Sequence, residues 1–316
     1  MNKCLFCYGP LEEGQYHSKC SKKIFGTAEP PLLPYGEDSI RELAREIIQR
    51  SVSVPGVQAK LSLHLSNEKG QMPRFTLVGL WGHYILKPPV DAYPHIAEIE
   101  DCTMHLAEIF RMPTVPHSLI LMENGKGKPA YITRRIDRGI KEKRSLHMED
   151  FCQLSGKLTE DKYRGSLEGC IKIIKRYSSN TMLDTIAFFE IALFSFLTGN
   201  GDMHLKNFSL LYNEDGTISL APAYDLLSTR LLIPEKLDSE EFALTMNGKK
   251  KKFTCNDFLK FGAGSGLSPR QIENCFKKFS ASLGKALGFI RASFLPEKIQ
   301  DRYCGLIESR AERLGL

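Results

Sequence analysis

The sequence predicts an α+β fold with a strand-rich first lobe and a helical second lobe. Three observations carry that expectation: short alternating runs punctuated by turn residues crowd into positions 58–136, three- and four-residue apolar spacing dominates from 139 onward, and nothing repeats at a period of roughly twenty to fifty residues. The last point excludes solenoids and propellers. A chain of 316 residues can hold one large two-lobed domain or two ordinary ones of about 150 residues each. Its 42% hydrophobic and 25% charged residues suit a packed protein, which excludes disordered, collagen-like and low-complexity classes.

Residues 1–25 carry a cysteine cluster and read as a small first module. Pro30-Pro31-Leu32-Leu33-Pro34 then reads as an extended linker, because successive prolines hold the backbone near polyproline geometry. Asp38 or Ser39 caps a helix that places Ile40, Leu43, Ala44, Ile47 and Ile48 on one face and ends near Arg50. Strands are expected at 58–65, 74–80, 84–86, 115–121 and 130–136, with turns at 68–70 and at Asn124-Gly125. A helix over 97–110 interrupts them. Helical patterns then run through about Phe196 and again over 268–314, broken by a hairpin at 208–212 and 217–220. The expected division is a module at 1–25, a first lobe at 26–138 and a second at 139–316.

The most apolar stretch, 186–197, contains Glu190 and falls short of the roughly twenty residues of a membrane span, so it reads as a buried helix. The first residues contain no apolar secretory region, and the expected compartment is the cytoplasm, without a membrane partner. Nine cysteines spread from Cys4 to Cys304 fit reduced thiols better than a disulfide framework. The net charge of +6 decides little about partners.

The segment Gly199-Asn200-Gly201-Asp202-Met203-His204-Leu205-Lys206-Asn207 lies between the apolar helix and the hairpin, so its polar groups sit on a short loop held by two rigid elements. The Asp-x-x-x-x-Asn spacing is that of a kinase catalytic loop, with Asp202 accepting the proton of the attacking hydroxyl and Asn207 coordinating magnesium through its carboxamide oxygen. Lys206 can approach the transferring phosphoryl, and His204 orients the loop. Beyond the hairpin, Asp225 in Pro222-Ala223-Tyr224-Asp225 supplies the hard anionic oxygen that magnesium prefers. Upstream, the strand His83-Tyr84-Ile85-Leu86-Lys87 ends in a lysine suited to phosphates, and the following helix offers Glu98 and Glu100 as ion-pair partners, Glu100 being favoured. Leading into the first strand, residues 51–60 occupy the place of a phosphate-covering loop, where backbone N–H groups can face phosphate oxygens. A single glycine there fails the G-x-G-x-x-G template. An isolated Asp/Asn pair is an ordinary turn feature; the order Lys, helix Glu, Asp-x4-Asn, hairpin, Asp is what favours chemistry.

Four runs carry a family resemblance: 53–60, Leu86-Lys87-Pro88-Pro89, 201–209 and 222–227. With them, the sequence from about Ser51 to its end resembles the HipA-like toxin serine/threonine kinases of bacterial toxin–antitoxin systems. The resemblance implies a bilobal protein-kinase-like fold binding ATP and Mg2+, with Asp202 as base, Asn207 and Asp225 as metal ligands and Lys87 on the phosphates. It also implies nucleotide contacts from Ser53, Val54, Gly56 and Gln58, and from Arg134 and Ile136 at the adenine hinge, where Arg134 replaces an acidic residue of the longer proteins. Family members phosphorylate a serine of an aminoacyl-tRNA synthetase and autophosphorylate a loop serine, which aligns here with Ser53, paired with Ser51. Only about fifty residues precede Ser51, so the chain resembles the short HipT-type kinases, whose partners are a small HipS-like protein and a DNA-binding HipB-like antitoxin. Contact with DNA would run mainly through that antitoxin.

Cys4-x-x-Cys7, nine residues, then His17-x-x-Cys20 gives four zinc-type ligands in two close pairs, a candidate structural site. The other histidines, His64, His83, His95, His105, His117 and His147, lack paired ligand spacing. The run Lys249–Lys252 after Asn247-Gly248 reads as solvated, with contact to DNA phosphates or a partner as the alternative. Competing readings are a same-fold kinase acting on a small molecule or lipid headgroup, a catalytically weak ATP-binding component of a DNA-bound regulatory complex, and a metal nuclease using Asp202 and Asp225.

Overall fold

The computed structural model describes residues 2–40, 42, 59–67, 70–78, 82–138 and 145–316. Most of the helix expected over 39–50, residues 51–58 of the loop expected at 51–60 and part of the 68–70 turn lie outside them. The chain divides into two compact units, Met1–Asp101 with Val115–Arg144, and Cys102–Thr114 with Ser145–Leu316.

The first unit is built on an antiparallel sheet of β3 (Leu61–Ser66), β4 (Arg74–Val78), β5 (Tyr84–Lys87), β6 (His117–Leu121) and β7 (Pro129–Arg134), in the order β4-β3-β5-β7-β6. It is preceded by a two-stranded ribbon, β1 (Asn2–Lys3) and β2 (Pro10–Leu11), and by α1 (Ser18–Phe25). Leu61, Leu63, Phe75, Tyr84, Leu86 and Ile132 are fully buried, as alternation on a pleated sheet requires. Helix α2 (Ile96–Ile109) follows β5 and contributes Glu100 and Asp101 to this unit.

Two local features differ from the sequence-based expectation, and one expected turn has an uncommon backbone. The proline segment is docked rather than loose: Leu32 exchanges backbone hydrogen bonds with Pro73 and Phe75 on β4, and Leu33 and Tyr35 accept from Asn124 and Glu123. The sheet edge offers unpaired backbone groups, and the extended segment takes them. The Asn124-Gly125 turn is present and left-handed, with Glu123 and Asn124 at φ of 52° and 54°. Residues 1–25 form no separate body. Tyr16 and Phe25 pack edge to face at 5.4 Å, and Phe25 meets Phe75 and Tyr84 at 5.7 and 6.1 Å, so the ribbon and α1 join the core of the sheet.

The second unit packs helices around a small antiparallel sheet of β8 (Met148–Asp150), β9 (Ser209–Tyr212) and β10 (Ile218–Leu220). The β9–β10 hairpin pairs Tyr212 with Ile218 and Leu210 with Leu220. Strand β8, three residues long, was not foreseen, because so short a run shows no alternation. The longer helices are α3 (Leu167–Tyr177), α4 (Thr181–Thr198), α5 (Cys255–Gly264), α6 (Pro269–Ala292) and α7 (Glu297–Leu314). Helix α4 is long and apolar enough to cross a membrane by length and composition, yet 67% of it is buried within the protein. Its Phe188, Phe189, Phe194 and Phe196 are fully enclosed. The lysine run is not simply solvated: Lys249 pairs with Asp257 at 2.8 Å, Lys250 with Glu240 at 3.1 Å, and Lys251 donates to Ser239 at 3.2 Å.

Near the carboxyl end of α4, Phe196, Phe242, Phe253 and Phe258 form one aromatic cluster, with Phe242 and Phe253 4.8 Å apart and Phe196 and Phe258 5.3 Å apart. Removing a fully buried phenylalanine loses transfer energy and leaves a cavity. Phe242→Ala should therefore cost about 3–5 kcal/mol, read as a lower urea midpoint at unchanged m-value.

Candidate active site

In the first unit, β5 ends on Lys87, whose side chain is 5% exposed, and its Nζ donates to Glu100 Oε1 at 2.5 Å. A buried ammonium stays charged only with a partner, and the fully buried Glu100 on α2 supplies it. Glu98 points elsewhere and meets His95 Nδ1 at 3.0 Å. Lys87 also lies 5.4 Å from the ring centroid of Tyr131, its directly opposed neighbour on β7. Next to Glu100, the buried Asp101 meets His117 Nδ1 at 2.7 Å and accepts the Tyr8 hydroxyl at 2.7 Å. Arg134 ends β7 and donates its backbone N–H to Pro116 O, while Ile136 lies beyond the strand. Ser51, Ser53, Val54, Gly56 and Gln58 fall outside the described residues.

In the second unit, the loop after α4 is fixed at several points. Gly199 closes the helix in the left-handed region at φ 75°, where an added Cβ would lie 2.8 Å from Leu306 and 2.9 Å from Arg230. Gly201 N–H donates to Thr229 Oγ1 and Leu205 N–H to Lys162 O. Met203 and Leu205 are buried, whereas Asp202 is exposed and Asn207 half-buried. The apolar side chains anchor the loop, and the polar ones are left to function.

Asp202 Oδ1 accepts the Tyr163 hydroxyl at 3.0 Å, and its backbone carbonyl accepts Asn207 Nδ2 at 2.8 Å. Because a carbonyl can only accept, Asn207 must turn its NH2 toward it, which leaves the carboxamide oxygen for a cation. Lys206 pairs with Asp150 at 2.7 Å, and its carbonyl accepts the Tyr224 hydroxyl at 3.1 Å. Asp225 takes φ 60°, a region that Asp tolerates better than most residues. Burial pushes the Tyr163 phenol up, reinforced by the Asp202 charge. Sequence spacing gave no sign of Tyr163, Asp150, Tyr8 or Asp101.

His204 is 6% exposed and its Nδ1 has no hydrogen-bond partner among the described residues. Burial lowers its pKa below 6.5 and outweighs the opposing carboxylates of Asp202 and Asp225, so both charges act on this one ring. At neutral pH the imidazole is therefore uncharged, suited to holding the loop. With the folded value below the unfolded one, the unfolded chain takes up the proton first as pH falls. The stability this site contributes is present above pH 6.5 and is lost as pH falls from there through the folded value. His204→Gln should lose less urea stability than wild type between pH 7.5 and 5.5.

The amino-terminal cluster is also assembled. One ligand atom from each of Cys4, Cys7, His17 and Cys20 lies within 4.8 Å of all the others. His17 Nδ1 is 3.4 Å from Cys7 Sγ and 3.7 Å from Cys20 Sγ. Burial pushes the Cys20 thiol up to about 12, aided by the neighbouring sulfurs. At Cys4 hydrogen bonds from Cys7, His17 and Phe6 outweigh burial and bring the thiol down to about 7.

The family model described as HipA-like C-terminal domain matches residues 52–287. A Haemophilus influenzae protein, provisionally named a kinase, is 30% identical over 306 residues, covering 86% of this chain and 85% of that protein. Sinorhizobium fredii Y4mE, also provisionally named a kinase, is 33% identical over 187 residues, covering 56% of this chain but only 42% of Y4mE. Among solved structures, HipA in the Shewanella oneidensis complex of HipA, HipB and operator DNA superposes with a TM-score of 0.69. That match has 22% identity and covers 91% of this chain and 73% of HipA. The likeness establishes an α+β, kinase-like fold, and the chain belongs to the HipA-like C-terminal domain family.

Proposed function

We propose that the chain is a serine/threonine protein kinase and the toxin of a toxin–antitoxin system, transferring the γ-phosphoryl of ATP to a serine of a protein. The observation that carries this reading is the buried Lys87–Glu100 ion pair, because a protein kinase must hold that pair closed to position the α- and β-phosphates. The loop geometry of the second unit supports it. Asp202, oriented by Tyr163, accepts the proton of the attacking serine. Lys206, steadied by Asp150, approaches the transferring phosphoryl. Asn207 and Asp225 offer hard oxygens that fit Mg2+, which when bound neutralises charge on the phosphate oxygens. By family resemblance Arg134 and Ile136 would meet the adenine, and residues 51–60 would supply the phosphate-covering loop.

Phosphorylation of Ser53, or of Ser51 beside it, would add up to about two negative charges next to the ATP phosphates and so inactivate the enzyme. By family resemblance the target is an aminoacyl-tRNA synthetase, the compartment the cytoplasm, and the partners a HipS-like protein and a HipB-like antitoxin. The HipB and operator DNA bound to Shewanella HipA support an antitoxin partner. The four-ligand set at the amino terminus suits a structural zinc ion, since protein atoms would fill all four positions.

Brief expression with labelled ATP tests the assignment. Wild type should label a synthetase serine and arrest growth, and Asp202→Ala should lower transfer by about 10²–10⁴-fold and relieve the arrest. Equal toxicity of the two would overturn it, and label appearing only in metabolites would move the substrate to a small molecule.

A further inference from the structure

We propose that Cys4, Cys7, His17 and Cys20 bind one Zn2+, and that the filled site holds Tyr8 against Asp101 and thereby Glu100 against Lys87. The coupling to Lys87 rests on the kinase reading above; the metal site does not. Zinc bonds of about 2.3 Å to sulfur and 2.0–2.1 Å to nitrogen place tetrahedral sulfur and nitrogen atoms about 3.6 Å apart. The observed sulfur–nitrogen separations of 3.4 and 3.7 Å bracket that edge. The imidazole is set for it as well. His17 Nε2 lies 3.0 Å from Pro10 O, which can only accept, so Nε2 carries the proton and Nδ1 turns its lone pair to the sulfurs. His17 N–H also donates to Cys4 Sγ at 3.4 Å, as a thiolate ligand favours.

The ligands tie two pieces of backbone. Cys4 and Cys7 frame a tight turn in which Tyr8 N–H donates to Cys4 O and Cys4 N–H to Gly9 O, and Tyr8 adopts φ 60°. His17 and Cys20 open α1. Together they grip β6, an edge strand whose outward backbone groups would otherwise be unpaired. Leu119 N–H and the Ser118 hydroxyl donate to Leu5 O, and Leu119 O accepts the Tyr16 hydroxyl. From this grip the strained Tyr8 reaches Asp101. Asp101 also meets His117 of β6, so the first turns of α2 are held from the knuckle and from the sheet together. Glu100 is the neighbouring residue, and its 2.5 Å contact with Lys87 depends on where that turn sits.

The test uses the full chain and two variants. Wild type should carry one equivalent of zinc by elemental analysis. Cys7→Ser removes an exposed ligand and should cut zinc at least tenfold and raise amide exchange over 96–101 by at least tenfold. Tyr8→Phe keeps the ring and the ligands; it should retain one zinc, yet raise exchange over 98–102 and weaken Mg-ATP binding three- to tenfold. Wild type without zinc, or Cys7→Ser with wild-type exchange and nucleotide affinity, would overturn the proposal. So would Tyr8→Phe with wild-type exchange. Failure of wild type to bind Mg-ATP would overturn the kinase reading and the coupling to Lys87, while zinc content and exchange still decide the metal site and its hold on α2.

Discussion

The first unit depends on keeping one ammonium group charged away from water. Lys87 and Glu100 are both buried, and neither tolerates that place alone, since an unpaired buried charge costs several kcal/mol. The strand carrying Lys87 is central, bonded to β3 on one side and β7 on the other. A one-residue slip in either ladder would turn Lys87 to the opposite face, away from both Tyr131 and α2. The ion pair therefore inherits its geometry from the register of the sheet on one side and from the placement of α2 on the other.

The loop of the second unit reaches the same end by different means. It has no ladder of its own, and it substitutes buried anchors at Met203 and Leu205 with backbone contacts to Thr229 and Lys162. Between these fixed points only polar side chains remain to be aimed. Tyr163 aims Asp202, and the Asp202 carbonyl aims the Asn207 amide. Two residues of the five-residue spacing thus orient each other, a physical reason for that spacing beyond its match to a motif.

Much of this was legible in the sequence. Strands at 61–66, 74–78 and 84–87 fall within a few residues of their expected positions, because one buried face forces strict alternation. The Asp202–Asn207 and Cys4–Cys20 spacings were visible because each is local. What stayed hidden was non-local: Tyr163 to Asp202, Lys206 to Asp150 and Tyr8 to Asp101 join residues 39, 56 and 93 positions apart. Periodicity left Glu98 open beside the favoured Glu100 for another reason. Ile96, Ala97, Ile99, Glu100, Asp101 and Cys102 are all buried, so this part of α2 has no exposed stripe from which to read a face. The lysine run misled because its partners Glu240 and Asp257 become neighbours only when residues 240–257 fold back.

The amino-terminal segment shows how a short stretch can be both dependent and necessary. About twenty-five residues bury too little apolar surface to order themselves, so their shape must come from cross-links and from what they pack against. With the proposed zinc bound, the pairs Cys4/Cys7 and His17/Cys20 would close short loops and so fix the tight turn and the start of α1 at small entropic cost. In return Tyr16, Ile24 and Phe25 enter the core of the sheet, the Tyr84 hydroxyl donates to Ile24 O, and the open edge of β6 is covered. Only with both sides in place is Tyr8 carried around that edge to a carboxylate on α2. A surface segment without a fixed internal geometry could cover β6 equally well, but it could not hold one hydroxyl 2.7 Å from Asp101 beside the residue that neutralises Lys87.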